Sequence, residues 1–258
     1  GAELEKAIED AKAEMQKLRA AGHEKEAGEL EAMLKLMEEA RAAELAAESA
    51  QHEKEMIEAE EAVVAVEAEA EKEAAVLEEE LKEAGLDVEA GEIHRLREAL
   101  ESGSVTGLEL EKAAGDAHAL ASKLKGMKKP ASAKHMAMEA DDLGRKLEEA
   151  AKAKLEAERL EKEKEAEGDL KEAAAEGHAL ADELRGEGME KDAAEVERIT
   201  KIVEGVLAGR VKGAELEKAI EDAKAEMQKL RAAGHEKEAG ELEAMLKLME
   251  EARAAELA

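Results

Sequence analysis

Residues 1–46 and 213–258 are the same sequence, letter for letter from Gly1 to Ala46 and from Gly213 to Ala258. A helical pattern fixes only its apolar positions, so an identical block of this length is a copied module rather than convergence. Gly107 stands midway between Gly1 and Gly213, and Glu109-Leu110-Glu111-Lys112-Ala113 repeats the frame of Glu3-Leu4-Glu5-Lys6-Ala7. The unit is therefore about 106 residues, doubled, with a slip of about three residues between Leu81 and Leu184. Any fold must build one substructure several times, and the chain reads as a window on a longer tandem array.

The sequence contains no Phe, Trp, Tyr or Cys and a single proline, Pro130, while 41% of its residues are charged. Without aromatic side chains the core comes from Leu, Ala, Val, Ile and Met, which form thin helix–helix seams. Disulfides and thiolate metal sites are excluded. A formal charge of −29 opposes binding to nucleic acid phosphates and anionic membranes. No apolar stretch approaches the ~18–20 residues of a membrane span, so no membrane insertion is expected.

Leu4, Ile8, Ala11, Met15 and Leu18 step by four and three, which predicts a helix over about 2–21. Gly22 stops it, with Lys17 and Arg19 in the last turn where the helix dipole favours cations. A turn at His23–Ala27 leads into a long helix from Gly28 to Ala84, free of proline and further glycine. It is apolar at both ends and polar at 48–55. Asp87 is expected to cap a shorter helix to Ser102, and Thr106 with Glu109 has the spacing of a capping box. The plan then repeats. A short helix carries Leu110, Ala114, Ala117, Ala121 and Leu124, and Gly126 and Pro130 reverse the chain. A second long helix runs over about 131–185, with Glu161–Glu167 too charged to bury and Gly168 as a hinge.

These elements predict an all-α fold of antiparallel three- or four-helix bundles, linked by long continuous helices into an elongated rod. Residues 1–47 form the second half of a bundle, copied at 213–258. A helical connector spans 48–62, a four-helix bundle 63–150, a charged helical connector 151–168, and a second four-helix bundle 169–258. A helix shared between successive bundles resembles the plan of spectrin-type repeat rods. Locally, Leu81-Lys82-Glu83-Ala84-Gly85, a short helix and Ser104-Val105-Thr106-Gly107 are similar to the three-helix albumin-binding modules of bacterial surface proteins. By type, the homogenised acidic array also resembles tandem-repeat proteins of parasites and of cytoskeletal filaments.

Of the seven histidines, those in His-Glu-Lys-Glu at 23, 52 and 235 lack the second histidine of the zincin pattern. His135 and Glu139 share a helix face as two metal donors, short of the three or four a site needs. His118 and His178 each begin a His-Ala-Leu sequence beside a seam, and are read as structural seam residues, with a pH-sensitive charge as the alternative role. With carboxylates everywhere, no pair stands out for acid–base work, and no phosphate loop or calcium loop is present. No catalytic, cofactor or metal residue is assigned. Met33, Met37, Met245 and Met249 fit bundle core, or an adaptable partner-binding face.

The expected function is structural and non-enzymatic: a fragment of a helical rod acting as spacer, scaffold or filament subunit, cytoskeletal or on the cell surface. The alternatives are a protein-binding helical module and a designed helical scaffold. Because 1–46 lack the bundle partners that 213–258 have, Leu4, Ile8, Met15, Leu18 and Leu30 are expected to leave an apolar stripe open for self-association. On this grouping Leu18 and Leu230 must differ in burial.

Overall fold

A computed structural model describes residues 2–209 and 211–257. All regular elements among the described residues are α-helices: α1 (Ala2–Ala20), α2 (Glu24–Glu83), α3 (Asp87–Ser102), α4 (Gly107–Lys125), α5 (Ala133–Gly186), α6 (Glu190–Leu207), α7 (Gly213–Ala232) and α8 (Glu236–Leu257). The chain is thus all-α, as the spacing of its apolar residues requires.

One closing device recurs at the helix ends. The amides of His23, Leu86, Met189 and His235 donate to the carbonyls of Leu18, Leu81, Leu184 and Leu230 at 2.8–2.9 Å. Each bond spans a glycine with φ near +80°: Gly22, Gly85, Gly188 and Gly234. This is the left-handed glycine termination, which satisfies carbonyls that the helix itself leaves open. Because Gly22 completes the reversal alone, α2 begins at Glu24 rather than at Gly28. At α3 the cap position is Leu86 and no side chain caps it; Asp87 is the first helical residue. The capping box at α4 forms as expected, with the Glu109 amide donating to Thr106 Oγ1 at 3.2 Å. Gly168, read as a hinge, lies inside unbroken α5. A single interior glycine costs only about 1 kcal/mol against its strongly helix-forming neighbours.

The chain divides into two compact units, 52–161 and 1–51 with 162–258. Residues 1–47, expected to stand as a half-bundle, thus fall in one unit with the C-terminal bundle. In the unit 52–161, α2 and α5 run antiparallel. Glu69 meets Lys146 at 2.9 Å, and His52 Nε2 lies 3.0 Å from the Leu160 carbonyl. Its core joins Ala70, Leu77 and Leu81 to Ile93, Leu100, Leu110, Leu124, Met136, Leu143 and Leu147. Packing does not stop at 150: Ala151, Ala157 and Leu160 are buried, and Glu158 accepts from the Gly107 amide at 3.0 Å. The apolar spacing simply continues through the stretch read as a connector, until 161–165, which are exposed.

The other unit has a core drawn from α5–α8: Leu170, Leu180 and Leu184, then Val196, Ile199 and Val203, then Leu216 and Leu230, then Leu242, Met245 and Met249. Alanine-rich seams allow close helix approach, and two glycines take it further. A Cβ on Gly144 would lie 2.7 Å from the His118 ring, and one on Gly177 would collide with Thr200 and lie 2.9 Å from the Met245 terminal methyl. In both cases a partner side chain fills the space that the missing methyl leaves.

Candidate functional site

The two identical segments fold into the same hairpin. In α1–α2, Arg19 pairs with Glu31 at 2.8 Å, Lys12 with Glu38 at 3.5 Å, and Arg41 with Glu5. In α7–α8, the equivalent pairs are Arg231 with Glu243 at 2.7 Å, Lys224 with Glu250 at 3.6 Å, and Arg253 with Glu217 at 3.0 Å. The turns match too, with Gly22 at φ 81° and Gly234 at φ 84°.

Their surroundings differ. Leu230 is 1% exposed, whereas Leu18 is only half-buried. Met245 is fully buried and Met33 is 57% exposed. Leu216, Ala219, Ala223, Leu242, Met249 and Ala252 are all buried in the second copy. Their counterparts Leu4, Ala7, Ala11, Leu30 and Met37 are half-buried, and Ala40 is exposed. Because local sequence, turn and ion pairs are the same, the difference belongs to the neighbours. α5 and α6 cover the second hairpin, and nothing equivalent among the described residues covers that face of the first.

Of the residues expected on the open stripe, Leu4, Met15, Leu18 and Leu30 are partly uncovered. Ile8 is not: it is 3% exposed and belongs to the hairpin's own interior, as does Ile220 at 7%. The residues most open are Met33 and, at 66% exposure, Leu36. Met33 was visible in the sequence as a methionine of either role. Leu36 sits one position off the a/d seam and carried no signal.

α7–α8 is seated on α5–α6 by charge as well as by apolar contact. Lys237 reaches Glu183 at 3.2 Å, Lys229 reaches Asp192 at 3.4 Å, and Arg198 pairs with Asp222 at 2.7 Å. Two carboxyl pairs also form across it. Burial, and then Asp192 beside it, push the Glu226 carboxyl up to about 8. A hydrogen bond with Glu183, helped by burial, pushes Glu241 up to about 7. Each pair therefore keeps a proton to higher pH than the unfolded chain, which releases it in the ordinary carboxylate range.

Three histidines pair one helix with the next. His118 sits between Asp141 at 3.1 Å and Glu148 at 2.7 Å, and its pKa is raised, chiefly by the bond to Asp141. His178 meets Glu204 at 2.7 Å. His94 meets Glu78, a buried carboxylate also paired with Lys82 and Arg97. Burial works to raise Glu78, but the bonds from Lys82 and His94 outweigh it and the carboxyl is held low.

The antiparallel register brings Glu80 to His135 and Glu139, a third donor beside the two noted in sequence. His135 Nε2 lies 3.3 Å from Glu139 and 4.0 Å from Glu80. Burial, and then Glu80 beside it, raise Glu139 to about 7. Glu187, His235 and Glu238 form a second such group. Both are crowded carboxylates that a proton relieves.

Compared with known proteins, the chain matches no family model, no curated protein and no solved structure.

Proposed function

We propose that this protein is a non-enzymatic structural module: tandem helical bundles that act as a spacer or scaffold and self-associate through the uncovered face of the α1–α2 hairpin. One observation carries this reading. In one copy of the same 46 residues Leu216, Leu230, Leu242, Met245 and Met249 are buried to 0–1% exposure beneath α5–α6; in the other, which is not so covered, Met33, the counterpart of Met245, is 57% exposed. An apolar face of this kind is an association surface. The chemistry-bearing side chains support a structural role, since His94, His118 and His178 engage carboxylates on neighbouring helices. Long helices carried from one bundle to the next, as in spectrin-type rods, would make the array a spacer.

Small-angle scattering with light scattering over a concentration series tests this. The expected result is an elongated particle whose mass grows with concentration, and whose growth is lost in Met33→Glu. A compact particle of constant mass at every concentration would overturn both the spacer and the self-association.

A further inference from the structure

We propose that residues 2–45 and 214–257 are interchangeable occupants of one docking face, formed by α5 from Leu170 and by α6, and that they exchange on it within a single chain. This rests on the proposed function only in taking the uncovered face of α1–α2 as an interface.

The second copy defines the docked state of the first, because every contact that seats α7–α8 has an identical counterpart on α1–α2. Met245 fills the space over Gly177, which has no Cβ; the counterpart Met33 is 57% exposed. Lys237, Lys229 and Asp222 make the ion pairs to Glu183, Asp192 and Arg198. Their counterparts Lys25, Lys17 and Asp10 lie at the surface of the first hairpin. Side-chain contact therefore favours neither hairpin, and the balance is set by tethering. α7 follows α6 after a short turn, which raises its effective concentration at the face. α1–α2 lies in the same compact unit as that face, so it competes intramolecularly as well, whereas a second copy at micromolar concentration competes far less. One face and two hairpins leave one hairpin uncovered at all times. Exchange decides whether the N-terminal or the C-terminal hairpin is offered to a neighbour.

The chain has no cysteine, so Met33→Cys and Met245→Cys, made in separate chains, report thiol accessibility without background. With no other change, the thiol at position 33 is expected to label fast and the thiol at position 245 slowly. Adding Leu230→Asp and Leu242→Asp to Met33→Cys disables the present occupant. Labelling at position 33 should then slow by roughly tenfold or more, with the mass still that of a monomer. Undiminished labelling there would overturn the exchange. A second variant leaves α5–α8 otherwise untouched: Leu18→Asp with Leu30→Asp, added to Met245→Cys, removes the competitor. It should slow labelling at position 245, because fewer chains release α7–α8; an unchanged rate would overturn the exchange. Protection at position 33 accompanied by doubled mass would place the hairpin on a second copy, refuting intramolecular exchange while sustaining self-association.

Discussion

Met33 and Met245 offer a comparison that few proteins allow, because one substitution can be made twice in the same local sequence. Met245→Ala removes a fully buried side chain whose terminal methyl packs over Gly177. Truncating a buried Met to Ala costs about 2–5 kcal/mol, made up of lost transfer free energy and the cavity left behind. Met33→Ala removes a side chain that is 57% exposed, and its cost is expected below about 1 kcal/mol. Helix propensity, hairpin ion pairs and residual structure of the unfolded chain are common to the two sites and cancel. The difference, about 2 kcal/mol or more, is therefore the packing of α7–α8 on α5–α6 alone. Urea unfolding followed by far-ultraviolet circular dichroism measures it, since no aromatic residue supplies fluorescence. The midpoint for Met245→Ala should fall well below that for Met33→Ala. With Leu18→Asp and Leu30→Asp present in both variants, so that α1–α2 cannot take the face in place of α7–α8, costs equal within about 0.5 kcal/mol would refute the claim that neighbours, and not the hairpin itself, decide burial.

Other outcomes rest on single contacts. Glu226, raised to about 8, keeps its proton in the folded state while the unfolded carboxyl has lost it. Stability it contributes is complete below the ordinary carboxylate range and is lost as pH rises towards about 8, with a slope of at most ~1.4 kcal/mol per pH unit. Glu226→Gln should flatten that part of the melting-temperature profile; a profile as steep as that of the unmodified chain contradicts the assignment. Thr106→Ala removes the hydroxyl that accepts from the Glu109 amide and should cost about 0.5–2 kcal/mol in denaturant unfolding; no loss would mean the cap is idle. Gly177→Val, placed against Thr200 and Met245, should destabilise by about 1–3 kcal/mol. Gly168→Ala, with open space around it, should be neutral or stabilise by up to ~1 kcal/mol, and the reverse order in thermal unfolding would show the close approach is misplaced.

The seams were legible because they depend on spacing alone: Leu110, Ala114, Ala117, Ala121 and Leu124 are all buried. So were Gly22 as a stop and Thr106 as a start, since both act through adjacent backbone. Long-range register was not legible. Glu80 meets His135 and Glu139 only once α2 and α5 are aligned antiparallel, and acidic, alanine-rich helices can slide past one another without changing their pattern. For the same reason, burial of Glu78, Glu89, Glu226 and Glu238 was invisible: each is an ordinary surface residue until a partner helix lies over it. The open face is a different case. Leu18 and Leu230 were expected to differ, and they do, but only the count of helices before and after each copy said so. The letters themselves are the same.

That sameness bears on the history of the molecule. A polar substitution at Met245 would be resisted by the packed seam, whereas one at Met33 meets solvent. Under selection on folding alone the two copies would drift apart, quickly along the exposed face and slowly along the buried one. No such asymmetry has accumulated in 46 positions. Their identity is therefore not maintained by the fold. It records copying more recent than the drift the fold allows, or a constraint that reads both hairpins alike, as a common docking face would.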